Sequence, residues 1–293
     1  MGGGSWTTAS YNVYTTSTRG MDADAFATSN MSVQEVYKNY RLSEALNPEG
    51  VVRECRDTEE HPNTVPVILA LDVTGSMGDA SVKVAKKLNE IMTKLYEDKD
   101  IPDVEFCIMG IGDLYCDTAP IQMSQFESDV RIAEQLDQLY FEAGGGGNDY
   151  ESYTAAWYMG INHCDLDCWK RGRKGIIITM GDEEPNPFLP IKGRHRGLIS
   201  ATGDSLQGDV ETSDLLPKVL EKYDVYHISV NDSYCSYRRN NKDGILDEKW
   251  RDLLGENYSI ATLDTLSDQI VDIIKSRAAA GSAGVNANGE VTW

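Results

Sequence analysis

The sequence predicts an α/β fold: a doubly wound, mainly parallel central sheet flanked by helices, with insertions along one edge. Three observations carry this expectation. The segments "VPVILAL" (65–71), "GIIITM" (175–180) and "YDVYHISV" (223–230) are apolar with little surface alternation, as strands are when both faces of a sheet are covered. Stretches with helical spacing separate them, and parallel strands require such crossovers. Asp72 and Asp182 follow the first two segments closely, at the strand ends where open sheets of this kind bind ligands.

The elements follow in order. Residues 1–31 are rich in Gly, Ser, Thr, Ala and Tyr without a helical or strand period, so a flexible arm, or one that orders only against a partner, is expected. Residues 32–61 supply an N-terminal helix and a lead-in. In "SVQEVYKNYRLSEAL" (32–46), Ser32 is placed as N-cap, Glu35 closes a capping box and Pro48 lies just beyond the end. The main domain is expected over 62–280. Within it, "SVKVAKKLNEIMTKLYED" (81–98) puts Val84, Leu88, Ile91 and Leu95 on one helical face. "DVEFCIMGIGD" (103–113) reads as a strand, with "APIQMS" (119–124) as a short partner. "QFESDVRIAEQLDQLYF" (125–141) and "ESYTAAWYMGINH" (151–163) read as helices. Residues 264–279 form a closing helix carrying Leu266, Ile270, Ile273 and Ile274, and 281–293 a loose tail.

The 293 residues leave ample interior for burial, and their formal net charge is −20. Such a field repels phosphate backbones, which argues against a nucleic-acid binder, and suits capture of cations. No apolar run approaches the roughly 20 residues that cross a bilayer, and the start "MGGGSWTTAS" lacks the features of a secretory signal. The expectation is a cytoplasmic protein with no membrane partner. Six irregularly spaced cysteines fit reduced thiols. The "HCDLDC" stretch (163–168) lacks the second Cys/His pair of a structural zinc site.

Chemistry concentrates in "DVTGSMGD" (72–79). A buried ionised aspartate needs a cation or hydrogen-bond donors, and Asp72, Thr74 and Ser76 at alternate positions aim three oxygens at one point. Oxygen donors suit hard divalent cations, magnesium above all. Asp182, two residues after Met180, adds a second strand-end carboxylate. A third loop, "AGGGGNDYES" (143–152), offers Asn148, Asp149 and Glu151 behind four glycines. It is no phosphate loop, because no Gly-Lys-Ser/Thr follows and its acids would repel phosphate.

With these residues in view, "DVTGSMGD", the glycine-rich loop and "ITMGDEEP" (178–185) together resemble the metal-ion-dependent adhesion site of the von Willebrand factor type A (vWA) fold, over roughly residues 62–280. The resemblance implies Mg2+ (or Mn2+ or Ca2+) held by Asp72, Thr74, Ser76 and Asp182. Asn148 or Asp149 stands in for the family's second-loop threonine. It also implies a site without bond chemistry, at which a partner's carboxylate completes the metal's coordination. Bacterial and phage intracellular members of this type suggest a ring-shaped ATPase or a scaffold as partner.

Two alternatives stand beside this reading. One is a metal-assisted phosphoester hydrolase or phosphotransferase with a nucleophilic aspartate, although Thr74 occupies the position where such enzymes carry a second acid. The other is a self-assembling structural protein, a homo-oligomer whose arm crosses to a neighbour. Residues 185–214 and 231–247 are expected beside the metal edge, where Tyr234, Tyr237, Arg238 and Arg239 are candidate partner contacts.

Overall fold

The computed structural model describes residues 5–96, 103–142, 150–231 and 243–282. Six strands form the main sheet: β1 (Val65–Asp72), β2 (Val104–Ile111), β3 (Ile121–Glu127), β4 (Gly175–Gly181), β5 (Tyr223–Val230) and β6 (Tyr258–Ala261). Their spatial order is β6-β5-β4-β1-β2-β3. All neighbours run parallel except β3, which is antiparallel to β2. The sheet is therefore mixed and mostly parallel. The chain builds outward from β1 through β2 and β3, then returns to the other side of β1 for β4, β5 and β6. A crevice opens beyond the strand ends where such a reversal occurs.

Side chains along β1 alternate between two cores, as the pleat dictates. Val67, Leu69 and Leu71 face one cluster; Ile68 and Ala70 face the other. Of the principal helices, α1 (Thr8–Arg19), α2 (Gly78–Tyr96), α3 (Arg131–Leu136) and α7 (Leu266–Ser282) serve the first core. The helices α4 (Ala155–Asn162), α5 (Thr212–Lys222) and α6 (Asp243–Leu254) serve the second. Both faces being covered explains why the strand sequences carry so little polar alternation.

The N-terminal segment differs from the expected loose arm. Trp6, Tyr11 and Phe26 are almost fully buried in the first core. The Trp6 indole donates to Asn89 Oδ1 on α2 at 3.1 Å. Arg19 pairs with Asp137 and lies over the Phe26 ring at 4.3 Å. A segment without apolar periodicity is thus held by three aromatic side chains, each a large burial. Thr7 caps α1 at one end and Gly20, at φ 72°, closes it in the left-handed conformation.

The helix expected over 32–46 is likewise shorter. The capping box of Ser32 and Glu35 forms, but the helix covers only Val33–Val36. Tyr37 turns extended, buries itself and donates to Ser81 O at 2.9 Å. Only a single 3₁₀ turn, Glu44–Leu46, follows in the rest of that stretch. Residues 125–141 also depart from a single helix: Gln125–Glu127 complete β3, and α3 begins at Arg131. Burial of Phe126 and the pairing of β3 with β2 outweigh the helical spacing there. No helix among the described residues is long and apolar enough to cross a membrane.

Candidate functional site

Parallel pairing of β1 with β4 sets Leu71 beside Met180, so the two aspartates leave the sheet side by side. Asp72 is wholly buried and Asp182 is 1% exposed. Burial, then the charge of Asp182, pushes the Asp72 carboxyl up to about 7. After Asp72 the chain turns through Thr74 and the Gly75–Met77 turn into α2. Ser81 on the first turns of α2 donates to Asp72 O at 3.2 Å. The positive end of that helix dipole thus lies near the carboxylates and favours their ionised forms.

The oxygens of Asp72 have defined partners. Thr74 donates both its backbone N–H (2.9 Å) and its hydroxyl (2.6 Å) to Oδ1, and the Tyr153 hydroxyl donates to Oδ2 at 2.6 Å. Tyr153 is completely buried, and its hydroxyl also accepts from Glu183 N at 3.2 Å. It therefore ties β1, the segment before α4 and the loop after β4 into one unit. Gly181 makes room for this: a Cβ there would overlap the Tyr153 hydroxyl. From the other side, Trp250 of α6 donates to Glu183 O at 3.0 Å, and Lys249 pairs with Glu184. Trp250 stacks on His227 with ring centroids 3.5 Å apart. Burial holds the His227 pKa well below its usual value, as befits a core residue and not a ligand.

More carboxylates crowd the same sheet edge. Glu151 is 6% exposed, and its Oε2 has no hydrogen-bond partner among the described residues. Burial, then the charges of Asp72, Asp117, Asp113 and Glu183, pushes its carboxyl up to about 11. Asp113, just past β2, is 1% exposed, and its Oδ2 has no hydrogen-bond partner among the described residues. Its backbone N–H donates to Asp117 Oδ2 at 2.7 Å. Burial, with Glu142 and Asp113 nearby, lifts Asp117 to about 7.

These placements bear on the sequence expectations one by one. Asp72, Thr74 and Asp182 sit at one end of adjacent strands, and Ser76 lies in the turn that follows. Asn148 and Asp149 lie outside the described residues, as do Tyr234, Tyr237, Arg238 and Arg239. Sequence reasoning missed Tyr153, Asp113 and Asp117. Asp113 carries the same signal as Asp72, an acid at the end of an apolar strand. Tyr153 carries no signal, because its role depends on long-range packing.

In donor chemistry the site fits a hard divalent cation: two buried strand-end carboxylates, Asp72 and Asp182, with the charge of Asp182 raising the Asp72 pKa, a hydroxyl, and a Glu151 carboxylate oxygen without a hydrogen-bond partner among the described residues. No group of three or more acidic, histidine or cysteine side chains among the described residues is arranged to hold a metal alone. Asp72, Thr74 and Asp182 would supply the described part of the coordination, two carboxylates and one neutral hydroxyl.

No protein-family model matches the sequence, and no curated protein matches it. Similar solved structures exist. The pilus adhesin SpaC from Lactobacillus rhamnosus GG, in its open conformation, aligns at 13% identity and a TM-score of 0.50 over 78% of this chain and 31% of its own. The chain thus spans about a third of SpaC, and the likeness concerns the fold alone. Weaker matches are the conserved hypothetical protein BatB from Bacteroides thetaiotaomicron and a von Willebrand factor type A structure from Catenulispora acidiphila. BatB aligns at TM-score 0.41 and 13% identity, over 74% of this chain and 99% of its own. The Catenulispora structure aligns at TM-score 0.38 and 11% identity, over 74% and 43%.

Proposed function

We propose that this chain is a vWA-like, metal-dependent protein-binding module, its sheet doubly wound about the β1–β4 junction. Asp72, Thr74, Ser76 and Asp182, with Asn148 or Asp149 from the glycine-rich loop, hold Mg2+ (or Mn2+ or Ca2+). A carboxylate of the partner takes the remaining coordination position. The observation that carries this reading is the pair Asp72 and Asp182. Two buried acids stand at adjacent strand ends, and the Asp72 partners are hydroxyl and amide donors rather than a Lys or Arg. A bound cation would offset the charge of the pair, and neutral hydroxyl ligands would leave it enough charge to attract an external carboxylate.

The module performs no bond chemistry. Thr74, where a phosphotransferase would carry its second acid, donates its hydroxyl to Asp72 Oδ1. It acts in the cytoplasm on a protein partner, a ring-shaped ATPase or scaffold component. Affinity capture from native lysate with magnesium, then with a chelator, tests it. Partners released by chelation from wild type, and never retained by Asp72→Ala, support the reading. Partners indifferent to both treatments refute it.

A further inference from the structure

A basic ridge stands on the sheet edge that carries the candidate metal site. Residues 192–196 read Lys-Gly-Arg-His-Arg, in a chain of net charge −20. Lys192, Arg194 and His195 are exposed, and none of the three forms an ion pair among the described residues. Arg196 instead pairs with Glu49 and bonds Asn47 and Ser200 O.

The ridge is fixed in place. Arg194 N donates to Tyr115 O at 2.6 Å. Gly193 lies so close to Leu114 O that a Cβ there would overlap it. Tyr115 itself is 50% exposed, and its N–H donates to Asp113 Oδ1 at 2.8 Å. The same loop reaches the metal edge through Glu142. That carboxylate accepts from Thr118 N and Ala119 N, and Glu142 N donates to Val73 O at 3.3 Å. An exposed aromatic ring with the Lys192 and Arg194 cations, which form no ion pair among the described residues, held on one edge, has the make-up of an interface anchor.

We infer that Lys192, Arg194 and His195, with Tyr115, form a docking ridge for an acidic peptide segment of the partner. This rests on the proposed carboxylate-binding site and extends it: one acid of the segment reaches the metal while flanking acids lie along the ridge. Charge complementarity selects the occupant. The ridge spans five residues, and the exposed Asp209, which accepts from Ile191 N at 2.9 Å, borders it, so a long polyanion would meet repulsion beyond it, whereas a short acidic peptide would not.

The test is fluorescence anisotropy of the full chain with a fluorescein-labelled decaglutamate, in magnesium and in EDTA, beside a labelled deca-thymidylate. The ridge requires Lys192→Glu combined with Arg194→Glu to weaken decaglutamate binding by roughly tenfold in either buffer. Tyr115→Ala should weaken it several-fold. Circular dichroism and Tm should be unchanged, because the charged side chains are exposed. Decaglutamate that fails to bind wild type, or binds the double variant equally well, overturns the ridge. Thymidylate binding as tight as decaglutamate, and lost with it in the double variant, also overturns it in favour of a nucleic-acid surface. The metal reading fails separately: if EDTA and Asp72→Ala leave decaglutamate binding unchanged while the charge reversal weakens it, the ridge stands and the carboxylate-to-metal contact falls.

Discussion

The Tyr153 hydroxyl carries more of the site than its sequence context suggests. It donates to Asp72 Oδ2 and accepts from Glu183 N, so Tyr153→Phe leaves a buried carboxylate oxygen and a backbone N–H short of a partner. Bonds to charged groups contribute about 1.5–3 kcal/mol. A loss in that range is expected by urea denaturation, with metal affinity altered as well. Gly181→Ala should cost about 1–3 kcal/mol by overpacking against the same hydroxyl. The acids give a pH signature. Asp72 and Asp117 titrate near 7 in the fold, above an unfolded value near 3.9. The metal-free native state therefore binds more protons between those values, so stability falls as pH rises from about 4 to about 7. The slope approaches about 1.4 kcal/mol per pH unit for each group. Metal-free protein should melt at a higher temperature at pH 5 than at pH 8, and magnesium should narrow the difference. The reverse order would mean that these carboxyls are not raised.

At the scale of elements, what was legible and what was not follows from where the information resides. The strands β1, β2, β4 and β5 are readable because burial on both faces writes itself as unbroken apolarity. The aspartates at the ends of β1 and β4 are readable for the same reason, since a carboxylate after such a run calls for an explanation. The helix α1 was not readable, because its sequence "TASYNVYTTSTR" owes its place to Trp6, Tyr11 and Phe26 and not to a 3.6-residue period. Tyr37 ends a well-capped helix early because its ring and hydroxyl find better partners in Phe141 and Ser81. Tertiary packing prevails over local propensity in both places. Phe26→Ala should accordingly cost about 3–5 kcal/mol, a core penalty rather than the near-neutral effect of an arm. A shift in the urea midpoint measures it, and no shift would mean that the N-terminal segment does not pack on the domain.

For the whole molecule, the strand order places the two central aspartates, the Asp113–Asp117 loop and the basic ridge on one edge of one sheet. The −20 charge and this acidic edge both raise local cation concentration near the site. A divalent ion that binds only the native state must stabilise it by mass action, by about 2.7 kcal/mol at a hundred times its Kd. The most direct measurement is a titration of the metal-free full chain with Mn2+, followed by electron paramagnetic resonance, for wild type, Asp72→Ala and Asp182→Ala. The account predicts a single tight ion per wild-type chain, displaced by excess Mg2+ and absent from both variants, with their circular dichroism intact. Wild-type protein that leaves all Mn2+ free, or alanine variants that bind it as tightly as wild type, would contradict it.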